Sequence, residues 1–221
     1  MRASEVLDLA VHAGVGPGVS VLDLCCGVAG PGRLVVRELG CDYLGVDADP
    51  QAVLVARERA VGLPCGFEVA EVPPVPSGPY DVVLLLETML AFRDKVPLLD
   101  GVAAALRVGG RFAFTLEEGV PLTEAERALM PAADTVWPVP LPEMVAGLQR
   151  AGFRLTRQED HSRAHRTIVD ALVEGYGAQA TVMAEQVGGR RVADLLASHT
   201  LWSDWLRSGR IRKFAFVAEK T

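Results

Sequence analysis

A doubly wound α/β sheet with helices on both faces is the fold this chain predicts, and three observations predict it. Short apolar runs bounded by Gly, Asp and Pro alternate with helix-patterned stretches from Ser20 to Thr115. The run Val82-Val-Leu-Leu-Leu86 is continuously apolar, as a strand covered on both faces must be. Of the 221 residues, 50% are hydrophobic and 23% charged, a balance that fills a core between two helical layers and excludes a disordered chain.

The elements follow in order. Ser4, then Glu5 and the apolar Val6, Leu7, Leu9, Ala10 and Val11, predict an N-capped amphipathic helix ending near Gly14 and lying across the sheet edge or over a site. Ser20 to Leu24 reads as the first strand, followed by a Gly-rich turn and a helix from Pro31 to Leu39. Asp42 to Asp47 is the second strand, Pro50 to Val61 a helix with Pro in its first turn, Cys65 to Ala70 the third strand and Tyr80 to Leu86 the fourth. A helix from Lys95 to Arg107 leads to a strand from Arg111 to Thr115.

After Leu116 the pattern loosens into a short helix from Thr123 to Leu129 and a Pro-rich loop ending at Pro142, a candidate lid or acceptor wall. Leu141 to Ala151 reads as a helix closed by Gly152, Phe153 to Glu159 as the sixth strand, and Ile211 to Glu219 as the last. Between those two strands His161 to Gly209 reads as helical with a break at Gly188-Gly189, far more than a strand connection needs. One domain over residues 1–221, three layers deep and carrying a helical insertion at about 161–209, is expected.

Composition narrows the function. A net charge of -6 argues against a nucleic-acid partner, and the one basic run, Arg207 to Lys213, is short. The opening residues lack the apolar core of a signal peptide, and no stretch reaches the ~20 apolar residues of a membrane span. A cytoplasmic monomer or homodimer, without a membrane partner, is expected. Cys25, Cys26, Cys41 and Cys65 lack paired metal-ligand spacing and read as reduced, buried small hydrophobes, so no metal is expected.

The informative stretch is Val21-Leu-Asp-Leu-Cys-Cys-Gly-Val-Ala-Gly-Pro-Gly32, followed by Gly45-Val-Asp-Ala-Asp-Pro50. In a doubly wound sheet, ligands sit beyond the carboxyl ends of the strands, where this first loop falls. Gly27 and Gly30 let the backbone turn tightly near a cofactor, and Asp47, twenty residues after Gly27, is placed to accept hydrogen bonds from both hydroxyls of a ribose. A dinucleotide fingerprint is disfavoured: its first glycine falls on Cys25, and Asp23 would repel a pyrophosphate while suiting the ammonium of a methionine moiety.

The stretch resembles motif I of the class I methyltransferases that use S-adenosylmethionine (SAM), in which the first strand ends Asp-Leu-Gly-Cys-Gly-x-Gly. The resemblance runs from Ser4 to about Thr115. It implies a seven-stranded, mostly parallel sheet with an antiparallel last strand, and SAM as cofactor. Asp23 and Gly27 match positions at the methionine end and Asp47 the ribose-binding acid. The cofactor set implied is Asp23, Cys25, Gly27, Asp47, Ala48, Ala70, Glu71 and Leu86, with Ala70 or Glu71 serving the adenine because the usual acidic position falls on Val69. Cys25 and Ala29 stand where the family usually has glycine. A cap or turn carboxylate is the competing reading of Asp23 and Asp47.

Methyl transfer is an in-line displacement, so the protein aligns the partners and takes up a proton where the nucleophile carries one. Glu87, at the end of the fourth strand in Leu86-Glu-Thr-Met89, is the leading acceptor-side residue, as general base or electrostatic stabiliser; this segment is similar to the Glu-Ser/Thr segment of the small-molecule subgroup. His161 and His165 are further catalytic candidates, four apart on one helical face. Glu117, Glu118, His161 and His165 show no recognisable metal spacing. Trp202 and Trp205 with His199, and Trp137 on the loop, are candidates for an aromatic acceptor pocket or simply for core. The leading function is methyl transfer to carbon, nitrogen or oxygen of a small metabolite; a SAM-binding protein or cyclase that transfers nothing, and a nicotinamide oxidoreductase, are the alternatives.

Overall fold

The computed structural model describes residues 1–131 and 133–221. Its seven strands are β1 (Ser20–Leu24), β2 (Asp42–Asp47), β3 (Cys65–Val69), β4 (Tyr80–Leu85), β5 (Leu106–Glu118), β6 (Phe153–Asp160) and β7 (Arg212–Lys220). They lie in the order β3-β2-β1-β4-β5-β7-β6. β1 to β5 pair in parallel and β7 runs antiparallel to both its neighbours, so six strands point one way and the last opposes them.

The order reverses at β1 and β4, and the carboxyl ends of these two strands open the crevice in which such sheets hold ligands. Helices α1 (Ala3–His12), α2 (Gly30–Leu39) and α3 (Pro50–Arg59) cover one face, where Val21, Val35, Val53, Tyr43 and Phe67 share a core. Helices α4 (Val96–Ala105) and α6 (Leu141–Arg150) cover the other, where Leu22, Leu24, Val83, Leu85, Phe112, Phe114 and Phe216 pack. Successive strand side chains alternate between these two cores, which is why both faces of β1 and β4 had to be apolar.

The insertion is three helices, α7 (Ser162–Ala178), α8 (Ala180–Val187) and α9 (Gly189–Ser208). The break at Gly188, in a conformation with φ of +90°, falls where expected, and a second break at Gln179 carries no Gly or Pro signal. With α5 (Glu124–Leu129) and the loop after it, the insertion closes a third apolar cluster of Leu122, Met130, Val136, Val169, Trp205, Leu206 and Ile211.

Several expectations need correction. Ser4 lies inside α1, whose cap is Arg2: the Arg2 backbone N–H donates to Glu5 at 2.8 Å. Helix α1 packs on α2 and β7. Strand β5 runs through Glu118, past the expected end at Thr115, because its partner β7 continues beside it after β4 has stopped at Leu85. Only Cys26 and Cys41 are buried; Cys25 and Cys65 are half-buried, and all four are free thiols.

Candidate active site

The loop after β1 has an unusual backbone. Cys25, Gly27 and Ala29 take left-handed conformations with φ of +56°, +54° and +55°. Glycine reaches this region without steric cost, whereas a residue with a Cβ does so at about 1–2 kcal/mol. Cys25 and Ala29 therefore hold a glycine-like path, and Ala29, fully buried, caps α2 from it. A Cβ on Gly27 would meet nothing within 4 Å, so the loop presents bare backbone to open space at that residue. Gly30 has an ordinary φ and open surroundings; the glycine the fold requires is Gly32, where a Cβ would lie 2.0 Å from the Tyr43 hydroxyl.

Asp47, half-buried at the tip of β2, ties this loop to the next. One carboxylate oxygen accepts from the Gly27 N–H at 2.8 Å, the other from the Asp49 N–H at 2.9 Å. Each oxygen keeps a further lone pair for hydroxyl donors. Ala48 is exposed beside it, Ala70 is held to β2 by its N–H on the Asp47 carbonyl at 3.0 Å, and Glu71 is exposed.

Asp23 is deeper than its expected role suggests. It is 3% exposed, and the Tyr43 hydroxyl donates to it at 2.5 Å. Burial, less the help of that hydrogen bond and with a push from Asp47, raises its carboxyl to about 7. The Cys25 and Cys26 thiols are pushed by burial and the neighbouring aspartates up to about 12, so neither is a nucleophile.

On the acceptor side, Glu87 follows β4 in a left-handed conformation with φ of +62°, held by its N–H donating to the buried Thr115 hydroxyl at 2.7 Å. It faces a chamber of about 350 Å³ lined by Leu90, Met130, Val136, Ile168, Leu172 and Trp202, with Glu117 and His165 also in its wall. Leu86 lies half-buried beneath it against the first core. The Met1 amino group is 3.8 Å from the Glu87 carboxylate.

The residue that sequence reasoning did not single out as an acceptor group is Glu117. Glu117 and Lys213 sit opposite one another across β5 and β7, both buried, and the ammonium donates to a Glu117 oxygen. It also lies 3.0 Å from Glu87. Burial pulls the Lys213 pKa down, but the two carboxylates outweigh it and raise it, so the ammonium stays charged. Burial pushes the Glu87 pKa up, but Lys213, the Met1 amino group and His165 together outweigh it and hold the carboxylate below its ordinary value. His165 is pushed down to about 4 by burial and Lys213, and is a neutral imidazole at pH 7. The available signal was a charged Glu117 and Lys213 adjoining the apolar stretches Phe112 to Leu116 and Phe214 to Ala218, where unpaired charge is costly.

His161 is not brought to the chamber; it precedes α7, 3.6 Å from Glu159. Trp202 and His199 line the chamber, whereas Trp205 is core, its ring 5.7 Å from that of Trp202. Trp137 lies in a separate groove with Arg127 stacked 3.9 Å over its ring.

Residues 21–110 match a family model described as a methyltransferase domain. Over these residues the chain is similar to a methyltransferase domain. Phosphoethanolamine N-methyltransferase 3 of Arabidopsis thaliana is 32% identical over 103 residues, 45% of this chain and 21% of that enzyme. The chain thus spans about a fifth of the length of such relatives. An uncharacterised methyltransferase of Synechocystis is 27% identical over 71% of this chain and 77% of its own. Among solved structures, the cyclopropane synthase MmaA2 of Mycobacterium tuberculosis superposes with a TM-score of 0.89 at 16% identity, covering 98% of this chain and 83% of that one. The methyltransferase domain and the motif-I loop coincide, and the chamber walls at Met130, Val136 and α7 to α9 lie beyond the matched residues. No helix of the described residues is long and apolar enough to cross a membrane.

Proposed function

We infer that the domain transfers a methyl group from SAM to a small molecule held in the chamber beside Glu87. The observation that carries this reading is the pair of sites at adjoining strand ends: a bare-backbone loop tied to Asp47, and an apolar chamber with Glu87 and Glu117 in its wall and Lys213 bonded to both.

The loop fits the cofactor. Gly27 presents bare backbone to open space, Asp47 has lone pairs for ribose hydroxyls, and Ala70 with Glu71 stands at the next strand end for the base. Bound there, SAM supplies a methyl group on a positively charged sulfur. The protein's own part is to align, to exclude water and to manage charge. Leu90, Met130, Val136 and Ile168 line the chamber with apolar surface, and Glu87 supplies negative charge in its wall. A chamber of this size suits a small molecule, at the lower end of the ~300–1,000 Å³ typical of ligand sites.

Calorimetric titration with SAM, S-adenosylhomocysteine (SAH) and NADH tests this. SAH binding in the micromolar range, weakened about a hundredfold in Asp47→Ala by the loss of two charge-assisted hydrogen bonds, is the expected result. Binding of NADH in place of SAH would overturn it.

A further inference from the structure

Among the described residues, one buried side-chain oxygen has no hydrogen-bond partner: Oε2 of Glu117. Its residue is 3% exposed, its other oxygen is taken by Lys213, and it lies in the wall of the chamber. Leaving a buried carboxylate oxygen unpaired costs more than a hydrogen bond returns, so such an atom marks a place where a donor belongs. The neighbouring groups do not supply one: Lys213 is engaged with Glu117 Oε1 and Glu87, and the neutral His165 ring, which keeps one N–H, makes no hydrogen bond to this oxygen.

A metal ion answers this atom less well than an organic donor. Glu87, Glu117 and His165 offer ligand atoms within 4.8 Å of one another. The Lys213 ammonium, however, already lies on both carboxylates and would repel a divalent cation at close range.

Resting on the methyltransferase reading, we propose that the acceptor is an apolar molecule with one protic heteroatom, an O–H or N–H, whose hydrogen is donated to Glu117 Oε2 while its body lies against Ile168, Leu172 and Trp202. An acceptor reacting at an unactivated alkene carbon has no donor to offer this oxygen. As the heteroatom forms its bond to the methyl carbon, the carbon–sulfur bond breaks with its electron pair passing to sulfur, and the acceptor's proton passes to Glu117. Lys213 holds Glu117 in place and Glu87 completes the charge around the ammonium.

The test is binding of three isosteric probes, para-ethylphenol, para-ethylaniline and para-ethyltoluene, to the full chain with SAH present. The phenol or the aniline is expected to bind at least about tenfold tighter than the toluene, the scale of one hydrogen bond to a charged group. In Glu117→Gln the amide oxygen stays on Lys213 and the amide N–H replaces the free acceptor, so the aniline, whose ring-delocalised nitrogen accepts poorly, should lose its preference over the toluene while SAH affinity is kept. Equal affinity of wild type for all three probes would overturn the proposal without any variant having to fold, as would tight Zn²⁺ or Mg²⁺ binding that expels the donor probes. Absence of SAH binding would strike the methyltransferase reading instead.

Discussion

Glu117 on β5 and Lys213 on β7 are register partners in the antiparallel pair, the ammonium of one bonded to the carboxylate of the other, and both are cut off from solvent on a face that next carries the small residues Thr115, Ala113, Ala215 and Val217. A charge pair at that depth is a poor source of stability while intact and a large liability when broken.

Lys213→Met should therefore lower stability by about 3–5 kcal/mol, because Glu117 is left as an uncompensated buried charge. Pairing it with Glu117→Leu should restore most of that loss, since two apolar residues of similar size suit the site. Urea unfolding of the three variants measures this; additive losses in the double variant would contradict it.

Asp23 and His165 pull the pH dependence of stability in opposite directions. Asp23 is raised from 3.8 to about 7, so the native state holds a proton the unfolded chain releases, and stability falls by about 4 kcal/mol as pH rises from 4 to 7. His165 is lowered from 6.5 to about 4, so stability is lost by about 3 kcal/mol as pH falls through that window. Together they leave the wild type nearly flat. Asp23→Asn should expose a rise in stability with pH from 4 to 6.5, and His165→Gln a fall from 4 to 7, read by denaturant midpoints across that range.

Gly30 and Gly32 should behave oppositely. Gly30→Ala meets open space at an ordinary φ and should leave stability unchanged or raise it by up to about 1 kcal/mol. Gly32→Ala drives a methyl into the Tyr43 ring, displaces the hydroxyl from Asp23 and should cost about 3 kcal/mol. A thermal melt separates the two.

Ala29 offers a test of the left-handed loop. In Ala29→Gly the relief of about 1–2 kcal/mol of backbone strain is offset by a lost buried methyl and a freer unfolded chain, leaving a change within about 1 kcal/mol. Ala29→Val adds β-branching to a φ of +55° in a fully buried position and should cost at least about 3 kcal/mol. Similar midpoints for the two variants would mean that the loop relaxes out of the left-handed region.

Most of the sheet was legible in the sequence because its signals are local. Apolar runs such as Val82 to Leu86 and the punctuation around Pro31 and Pro50 specify strand and helix without reference to distant partners. The cofactor side was legible for the same reason: Gly27 and Asp47 are fixed by strand ends twenty residues apart, and they meet through one hydrogen bond. The acceptor side was not. Glu117 and Lys213 are joined only by the register of β5 against β7, and Glu117 had been read with Glu118 as the start of a loop because β4 gives no sign that its neighbour outruns it. Of the two histidines on one helical face, spacing alone did not separate His161, which precedes the helix, from His165, which reaches the chamber.

The seventh strand of the sheet is also the one that carries the lysine bonded to Glu117. A chain halted before Arg212 has every residue of β1 to β4 and both cofactor loops, yet its Glu117 has no cation and its β5 no outer neighbour. Synthesis therefore completes the two halves of the site at different times. The Glu117–Lys213 pair exists only once β7 lies between β5 and β6, so that strand's place in the sheet is also the condition for the buried charge pair.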